Sequence, residues 1–423
     1  MNLIKTSGLT AISTLIKIIS SFIVNKVIAI YIGPSGLAII GQFQNFISII
    51  MTFANGAING GLIKYLAEYY DNNLKRAKIL STSFLISLVC SLLFSLILII
   101  FHSPLSFYFF KNTNYSSILL VFGVTLAFFS LNTFFLSVLN GHNEIKKLTI
   151  INISSSIISL LFTITLINFF NLYGALLSIV TVQTIVFFIT LAFVINCSWF
   201  KISIFFNGID KESFIKLGKY SLMAITTAIT VPVSQIIVRN YITDHFNLNS
   251  AGFWQGIIKI SDMYLMLITS SLSVYYLPKL SALKTNEELR KELFYGYKVI
   301  LPVVGLLAMG IYLFRDLVIK FLFTDKFMAM SDLFGYQLLG DFLKIAVWLM
   351  AYIMVAKAMT KYFIITEIFF SCSYILLVIF LGNQNGLIGT TQAFAINYSL
   401  SLIAMMFIFK DLIFNKNKVQ KNV

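Results

Sequence analysis

Four lysines and two aspartates stand inside stretches apolar enough to cross a bilayer: Lys17, Lys26, Lys259, Lys344, Asp262 and Asp341. A charge at the centre of a spanning helix costs about 2.5–3.5 kcal/mol on insertion scales, so such residues face a bundle interior or a wet cavity. Lys259 and Asp262 lie three apart in the stretch Gly252 to Ser281. With Gln255, Met266, Thr269 and Ser273 they follow steps of three and four, which puts them on one helix face. Asp341 and Lys344 repeat the spacing, flanked by Gln337 and Trp348. Lys17 sits on a stripe with Thr10, Ser13, Ser20 and Ser21, and Asn45, Ser48, Thr52, Asn55 and Asn59 form another. Polar residues at helical period mark the faces that avoid lipid. Four lysines against two aspartates make a cationic passage, which favours an anion. Its amides and hydroxyls suit a hydroxyl-rich headgroup.

The chemistry expected of such a set is binding and transit. Lys17, Lys259 and Lys344 are the residues expected to hold an anionic group, with Lys26, Asn45, Asn55, Gln255 and Gln337 lining the path. Asp262 and Asp341 would restrain the lysines or exchange a proton. Each has a plainer role open to it. Serines and threonines glue helices, the two Lys/Asp pairs can neutralise themselves, and Lys26 lies close enough to a span end to snorkel. Tyr275, Tyr276, Trp348 and Tyr352 offer faces on which a sugar could stack. No GxxxxGK[ST], HExxH or GxSxG occurs, so the sequence points to no catalytic residue, cofactor or ATP site. Cys90, Cys197 and Cys372 are far apart, and with His102, His142 and His245 they form no metal-ligand spacing.

The elements that must position these side chains are membrane helices. Of 423 residues, 58% are hydrophobic and 11% charged, against about 25% charged in soluble domains. The net charge of +15 reads as loop lysines and arginines, not as a nucleic-acid surface. The N-terminus lacks an A-x-A type cleavage site, so the first apolar segment is expected to stay as a span. The pattern predicts an all-α polytopic protein with about twelve spans, at roughly 8–32, 37–60, 79–101, 115–139, 147–168, 173–195, 214–238, 250–276, 296–314, 330–355, 362–381 and 387–410. The loops on the side of the termini hold 22 basic residues, from Lys5, Lys64, Lys75, Arg76 and Lys78 to Lys416, Lys418 and Lys421, and those on the other side hold 5, Lys111, Arg239, Arg315, Lys320 and Lys326. The positive-inside rule then puts both termini in the cytoplasm.

The chain also repeats itself. Leu9-Thr-Ala-Ile-Ser-Thr14 matches Leu222-Met-Ala-Ile-Thr-Thr227, Leu62-Ile-Lys64 matches Leu277-Pro-Lys279, and Asn171-Leu-Tyr-Gly174 matches Asn383-Gln-Asn-Gly386. The near-constant offset predicts two six-helix bundles, 1–212 and 213–423, pseudo-symmetric about a central polar lumen.

Several segments carry a resemblance: Gly33-Pro-Ser-Gly-Leu37, Lys64-Tyr-Leu-Ala-Glu-Tyr-Tyr-Asp-Asn72, Trp254-Gln-Gly256, Ile260-Ser-Asp262, Ser273-Val-Tyr275, Leu277-Pro278, and Phe327-Met-Ala-Met-Ser-Asp-Leu-Phe334 through Gln337, Gly340-Asp341 and Lys344. The chain resembles the O-antigen and enterobacterial common antigen flippases of the multidrug/oligosaccharidyl-lipid/polysaccharide exporter superfamily. The resemblance spans the whole chain and is strongest at 250–280 and 327–360. It implies alternating access by two bundles in the bacterial inner membrane. The implied substrate is an undecaprenyl-diphosphate-linked oligosaccharide, an O-antigen unit or else lipid III of the common antigen. The implied partners are membrane lipid, a polysaccharide polymerase and a chain-length protein. Lys17, Lys26, Asp262, Asp341 and Lys344 fall at matching positions. Lys259 and Gln44 depart from the pattern, which has a small polar residue and an arginine there.

Overall fold

The computed structural model describes the backbone of residues 3–414 and the side chains of 12–414 except 219, 271, 274 and 278. Lys5, Thr10, Lys219, Pro278, Lys416, Lys418 and Lys421, used in the charge, stripe and repeat readings, lie outside the described side chains. The described residues are almost entirely helical, with no strand. The main helices run in order α1 (Leu3–Tyr31), α2 (Gly33–Ala54), α3 (Asn59–Glu68), α4 (Asn73–Phe110), α5 (Ser116–Gly141), α6 (Ile145–Ile195), α7 (Lys211–His245), α8 (Leu248–Ser271), α9 (Leu277–Ala282), α10 (Asn286–Leu313), α11 (Arg315–Leu322), α12 (Phe334–Ala356), α13 (Thr360–Asn385), α14 (Ile388–Ile408) and α15 (Lys410–Phe414).

Among the described residues, ten helices are long and apolar enough to cross a membrane. This is a multi-pass membrane protein. The ten differ from the twelve expected for two reasons. The spans expected at 147–168 and 173–195 form one helical run, α6, broken at Asn171 (φ 49°, ψ −128°). α8 is helical where a span was expected, but its polar and charged residues keep it outside the apolar set.

The chain forms two compact units, one of Met1–Ile32 with Ile39–Pro232, the other of Gly33–Ala38 with Val233–Val423. In the first unit α5 packs between α4 and α6, and α1 lies along α6. Its core is built from Leu62, Leu66, Phe134, Val138, Leu139, Val186 and Phe205. Buried Ser83, Ser87, Ser91 and Ser95, at steps of four, run along α4. Small residues at this spacing let helix backbones approach and add hydrogen bonds where lipid offers none. Ser87 bonds Ser130 of α5 at 3.0 Å, and Ser130 donates to Asn55 at 2.6 Å. Asp210 caps α7, accepting from the Ser213 amide at 2.9 Å and pairing with Lys78 at 3.0 Å. The cap and this pairing hold its carboxyl down at about 2.

The α5–α6 connection carries a pH-sensitive contact. His142 stacks on Trp199 with ring centroids 4.3 Å apart, and its Nδ1 donates to the Val138 carbonyl at 2.9 Å. Nε2 is buried without a hydrogen-bond partner. Burial, with a smaller push from the charge of Arg76, lowers the imidazole to about 4, against about 6.5 when exposed. The released chain therefore binds the proton first as pH falls. The contact is at full strength above pH ~6.5 and weakens down to the folded value, by about 1–2 kcal/mol once partial solvation is allowed for. In a Trp254→Phe, Trp348→Phe background, Trp199 fluorescence of the folded protein is expected to titrate with a midpoint near pH 4. The change should be absent in His142→Phe; a titration that persists there would assign it to another group.

In the second unit α12 is central, packed by α9, α10 and α14, while α13 pairs with α14. One cluster gathers Leu272, Tyr276, Leu293, Met350 and Met405, and another gathers Ala38, Val238, Ala251, Trp254 and Val378. α10 starts with a capping box in which Thr285 and Glu288 bond each other's backbone amides at 3.2 and 3.1 Å.

The repeat is visible in backbone geometry. After α5, His142, Asn143 and Glu144 donate to Val138, Asn140 and Leu139; after α12, Lys357, Ala358 and Met359 donate to Ile353, Val355 and Met354. Every member lies 215 residues after its counterpart, and Asn143 and Ala358 both take positive φ, 59° and 51°. The break in α6 at Asn171 corresponds to Gly386 (φ 66°, ψ −149°) between α13 and α14. Three residues on, Gly174 lies against the Leu166 carbonyl, and Gly389 against the Leu381 carbonyl. The pairing of Asn171–Gly174 with Asn383–Gly386 is thus corrected by three residues. Asparagine in one half stands where glycine stands in the other, because both tolerate positive φ.

Candidate functional site

Asp341 is fully buried on α12 and is the centre of the polar site in the second unit. Its carboxylate accepts from Ser261 at 2.6 Å and Tyr264 at 2.9 Å, both on α8, and from Gln337 one turn back at 3.3 Å. Gln337 also donates to Ser261 at 3.3 Å. The hydroxyls and amide supply in place what a buried carboxylate loses on leaving water. Elsewhere on α8, Gly252 sits against the Pro34 backbone at the start of α2 and Gly256 against Met330.

The other expected residues of this unit sort into separate groups. Lys344 is half-buried on α12, its ammonium 5.0 Å from the centre of the Trp348 ring. Gln255 is buried and accepts from the Arg239 guanidinium, which stands 5.4 Å over Trp254. Arg239 was counted among the loop charges; it lies within α7 and is 2% exposed. Lys259 is half-buried and Asp262 exposed. Ser273 bonds Tyr352 at 3.0 Å, and Tyr276 packs edge-on to Tyr352.

In the first unit Lys17 is exposed and Lys26 half-buried on α1, two and a half turns apart. Asn55, which caps the end of α2, is buried against Ser130, and on α2 itself the amide nitrogen of Asn45 is buried without a hydrogen-bond partner. An unfilled donor inside a membrane protein is costly and marks a place where a polar group fits.

Ser261 and Tyr264 were missed in the sequence. The stripe from Gln255 through Lys259 to Asp262 draws attention to the neighbouring face. Ser261 and Tyr264 sit a residue or two round the helix, among apolar neighbours. The signal that could have found them was Asp341 itself, since a carboxylate buried at mid-helix needs donors from another element. Among the described residues no group of three His, Cys, Asp or Glu side chains is placed to hold a metal.

A family model described as polysaccharide biosynthesis protein matches residues 3–284. The chain belongs to that family. Within it, the lipid III flippase of Escherichia coli (strain K12) is 31% identical over 401 residues, 94% of this chain and 96% of that protein. The lipid III flippase of Shigella flexneri matches to the same extent. The polysaccharide biosynthesis fold is also that of solved transporters. An inward-facing multidrug resistance MATE family transporter of the MOP superfamily superposes with a TM-score of 0.75 at 13% identity, over 93% of this chain and 94% of that one. The lipid II flippase MurJ, in an inward closed conformation, gives 0.70 at 19% identity, over 96% and 87%. At those identities the likeness is one of fold.

Proposed function

We propose that this protein is a flippase that turns an undecaprenyl-diphosphate-linked oligosaccharide from the cytoplasmic to the periplasmic leaflet of the bacterial inner membrane by alternating access. The observation that carries the reading is 31% identity to a lipid III flippase over nearly the full length of both chains. It favours lipid III, the common antigen unit, over an O-antigen unit. Both termini lie in the cytoplasm on this reading, and the glycan polymerase and chain-length protein act on the product.

The diphosphate is held by Lys17, Lys259 and Lys344, with Lys26, Asn45, Asn55, Gln255 and Gln337 along the path. Asp262 and Asp341 steady the lysines or exchange a proton. Outward passage of two negative charges gains at most about 4–5 kcal/mol per 100 mV of inside-negative potential. A cation-coupled drug exporter has the same fold, yet would want an anionic path for cationic drugs. A membrane polymerase or ligase needs groups fixed around a reacting bond, and no such constellation stands out in the sequence.

Expression in one bacterial strain lacking its common antigen flippase, and in another lacking its O-antigen flippase, tests the reaction. Restored surface glycan in the first strain is the expected result. Drug resistance with no glycan in either strain would move the reading to the exporter. In the restored strain, Lys17→Ala with Lys344→Ala is expected to cut surface glycan at least tenfold with the protein still in the membrane. Normal export from that double variant would remove the two lysines from the site.

A further inference from the structure

At one end of the first unit, three lysines gather on two tyrosines. Lys64 on α3 stands 5.2 Å over the Tyr65 ring, and Lys216 at the start of α7 stands 6.0 Å over the same ring. Lys216 is also 5.4 Å over Tyr69, and Lys75 at the start of α4 is 5.5 Å over Tyr69. The two rings stack at 5.9 Å and 22°. Ammonium groups repel one another, yet here two share each ring. Aromatic faces hold the cations without neutralising them.

The phenols complete the arrangement. Tyr220 accepts from Lys64 at 2.5 Å and Tyr69 accepts from Lys216 at 2.7 Å. A phenol that accepts from a lysine keeps its own O–H to donate. Carboxylates only partly offset the cations. Lys216 pairs with Glu212 at 2.5 Å, and Glu68 lies one turn from Lys64. Arg76, over Tyr70 at 5.7 Å, adds a further positive charge.

The second unit supplies the contrast. Lys279, 215 residues after Lys64, also bonds a phenol, Tyr275, at 2.9 Å and stands 5.2 Å over its ring. There Glu292 pairs with the ammonium at 2.7 Å. The repeat has therefore kept the lysine in both halves, each bonded to a phenol from a non-equivalent position, and an ion pair with a carboxylate closes the lysine of the second half. Beside the open cluster, apolar side chains face outward: Leu74 next to Lys75 is 80% exposed, and Phe214 and Ile215 next to Lys216 are 53% and 51% exposed. Cations flanked by exposed apolar groups make a surface that meets lipid headgroups and the chains below them.

We propose that Lys64, Lys75 and Lys216, with the Tyr69 and Tyr220 hydroxyls, form a phosphate-binding station on the first unit that takes the diphosphate of a polyprenyl-linked substrate at the membrane surface. The station is separate from the charges inside the spans, and its choice of substrate rests on the flippase reading. Three ammonium groups and two O–H donors match the several oxygens of a diphosphate better than the single phosphate of a bulk phospholipid.

The test is binding of undecaprenyl diphosphate to the purified full chain in phosphatidylcholine nanodiscs, with phosphatidylglycerol nanodiscs lacking the polyprenyl lipid as the second arm. Lys64→Gln with Lys216→Gln is expected to weaken polyprenyl diphosphate binding at least tenfold. Lys64→Arg should stay within about threefold of the parent, and Lys279→Gln should bind as the parent does. If the double variant is not monodisperse on extraction, Lys75→Gln, at an exposed position, carries the same expectation at a smaller factor of about three. Undiminished binding by folded double and single variants overturns the station and leaves the flippase reading standing. A parent protein that binds phosphatidylglycerol through these lysines, but no polyprenyl diphosphate, overturns the assigned substrate and the flippase reading together.

Discussion

Asp341→Asn is expected to reach the membrane at close to the parent level and to lose at least tenfold in surface glycan. The amide keeps the volume of the carboxyl and one accepting oxygen, and the Ser261 and Tyr264 hydroxyls can turn to accept from its nitrogen. What is lost is a group that can take up and release a proton as its surroundings change during a transport cycle. Asp341→Leu is expected to fail at both levels. It leaves the Ser261 and Tyr264 hydroxyls without their acceptor in a dry place, at about 1–3 kcal/mol each, and Gln337 with Ser261 alone. Quantitative blotting of the protein beside the glycan separates the two outcomes. An asparagine variant that exports like the parent would make Asp341 a structural carboxylate and strike it from the transport machinery.

Gly389→Ala and Gly174→Ala are expected to be among the most damaging single substitutions in the chain. A Cβ at either position overlaps a backbone carbonyl, that of Leu381 or Leu166, so no side-chain movement relieves it. The turn must open, and with it the pairing of α13 with α14 or of the two halves of α6. A cost of about 3 kcal/mol or more is the scale for forced backbone shifts in a packed interior. Thermal unfolding of detergent-purified protein in a Cys90→Ser, Cys372→Ser background, followed by exposure of buried Cys197 to a thiol dye, is expected to show a fall in midpoint of several degrees for each. A midpoint unchanged from the parent would mean the turns are looser than their geometry.

Most of the architecture was legible because membrane helices announce themselves. Apolar runs of bilayer length leave few alternatives, and the repeat offset was readable from short matches. The boundary errors have definite causes. Asn171 breaks α6 by backbone angle alone, with polar and apolar residues continuing on both sides, so hydropathy shows two spans with no view of the helical link. Arg239 looked like a loop cation because charge usually ends a span. Its partner Gln255 lies 16 residues on, and only folding brings the two together. Asp341 was singled out from its own chemistry, yet its partners on α8 were not, since Ser261 and Tyr264 look unremarkable among apolar neighbours. Single-residue chemistry is local in sequence, and the partners of a buried charge are not.

The wide turn that carries α8 into α9, Leu272–Tyr276, has a further consequence. It holds more residues per turn than the helix on either side. In an ordinary helix each residue advances the azimuth by about 100°, and an extra residue shifts the phase of all that follows by that amount. Unit one meets the matching point, Ala57, with an outright turn at positive φ. The face defined by Gln255, Lys259, Asp262, Met266 and Thr269 therefore does not run on into α9. A helical wheel drawn through Gly252–Ser281 as one object mixes two phases. Ser273, placed on that face by counting, lies inside the wide turn and bonds Tyr352. Lys279, beyond the turn, is aimed independently of Lys259, which lets one segment serve two surfaces with no compromise between them.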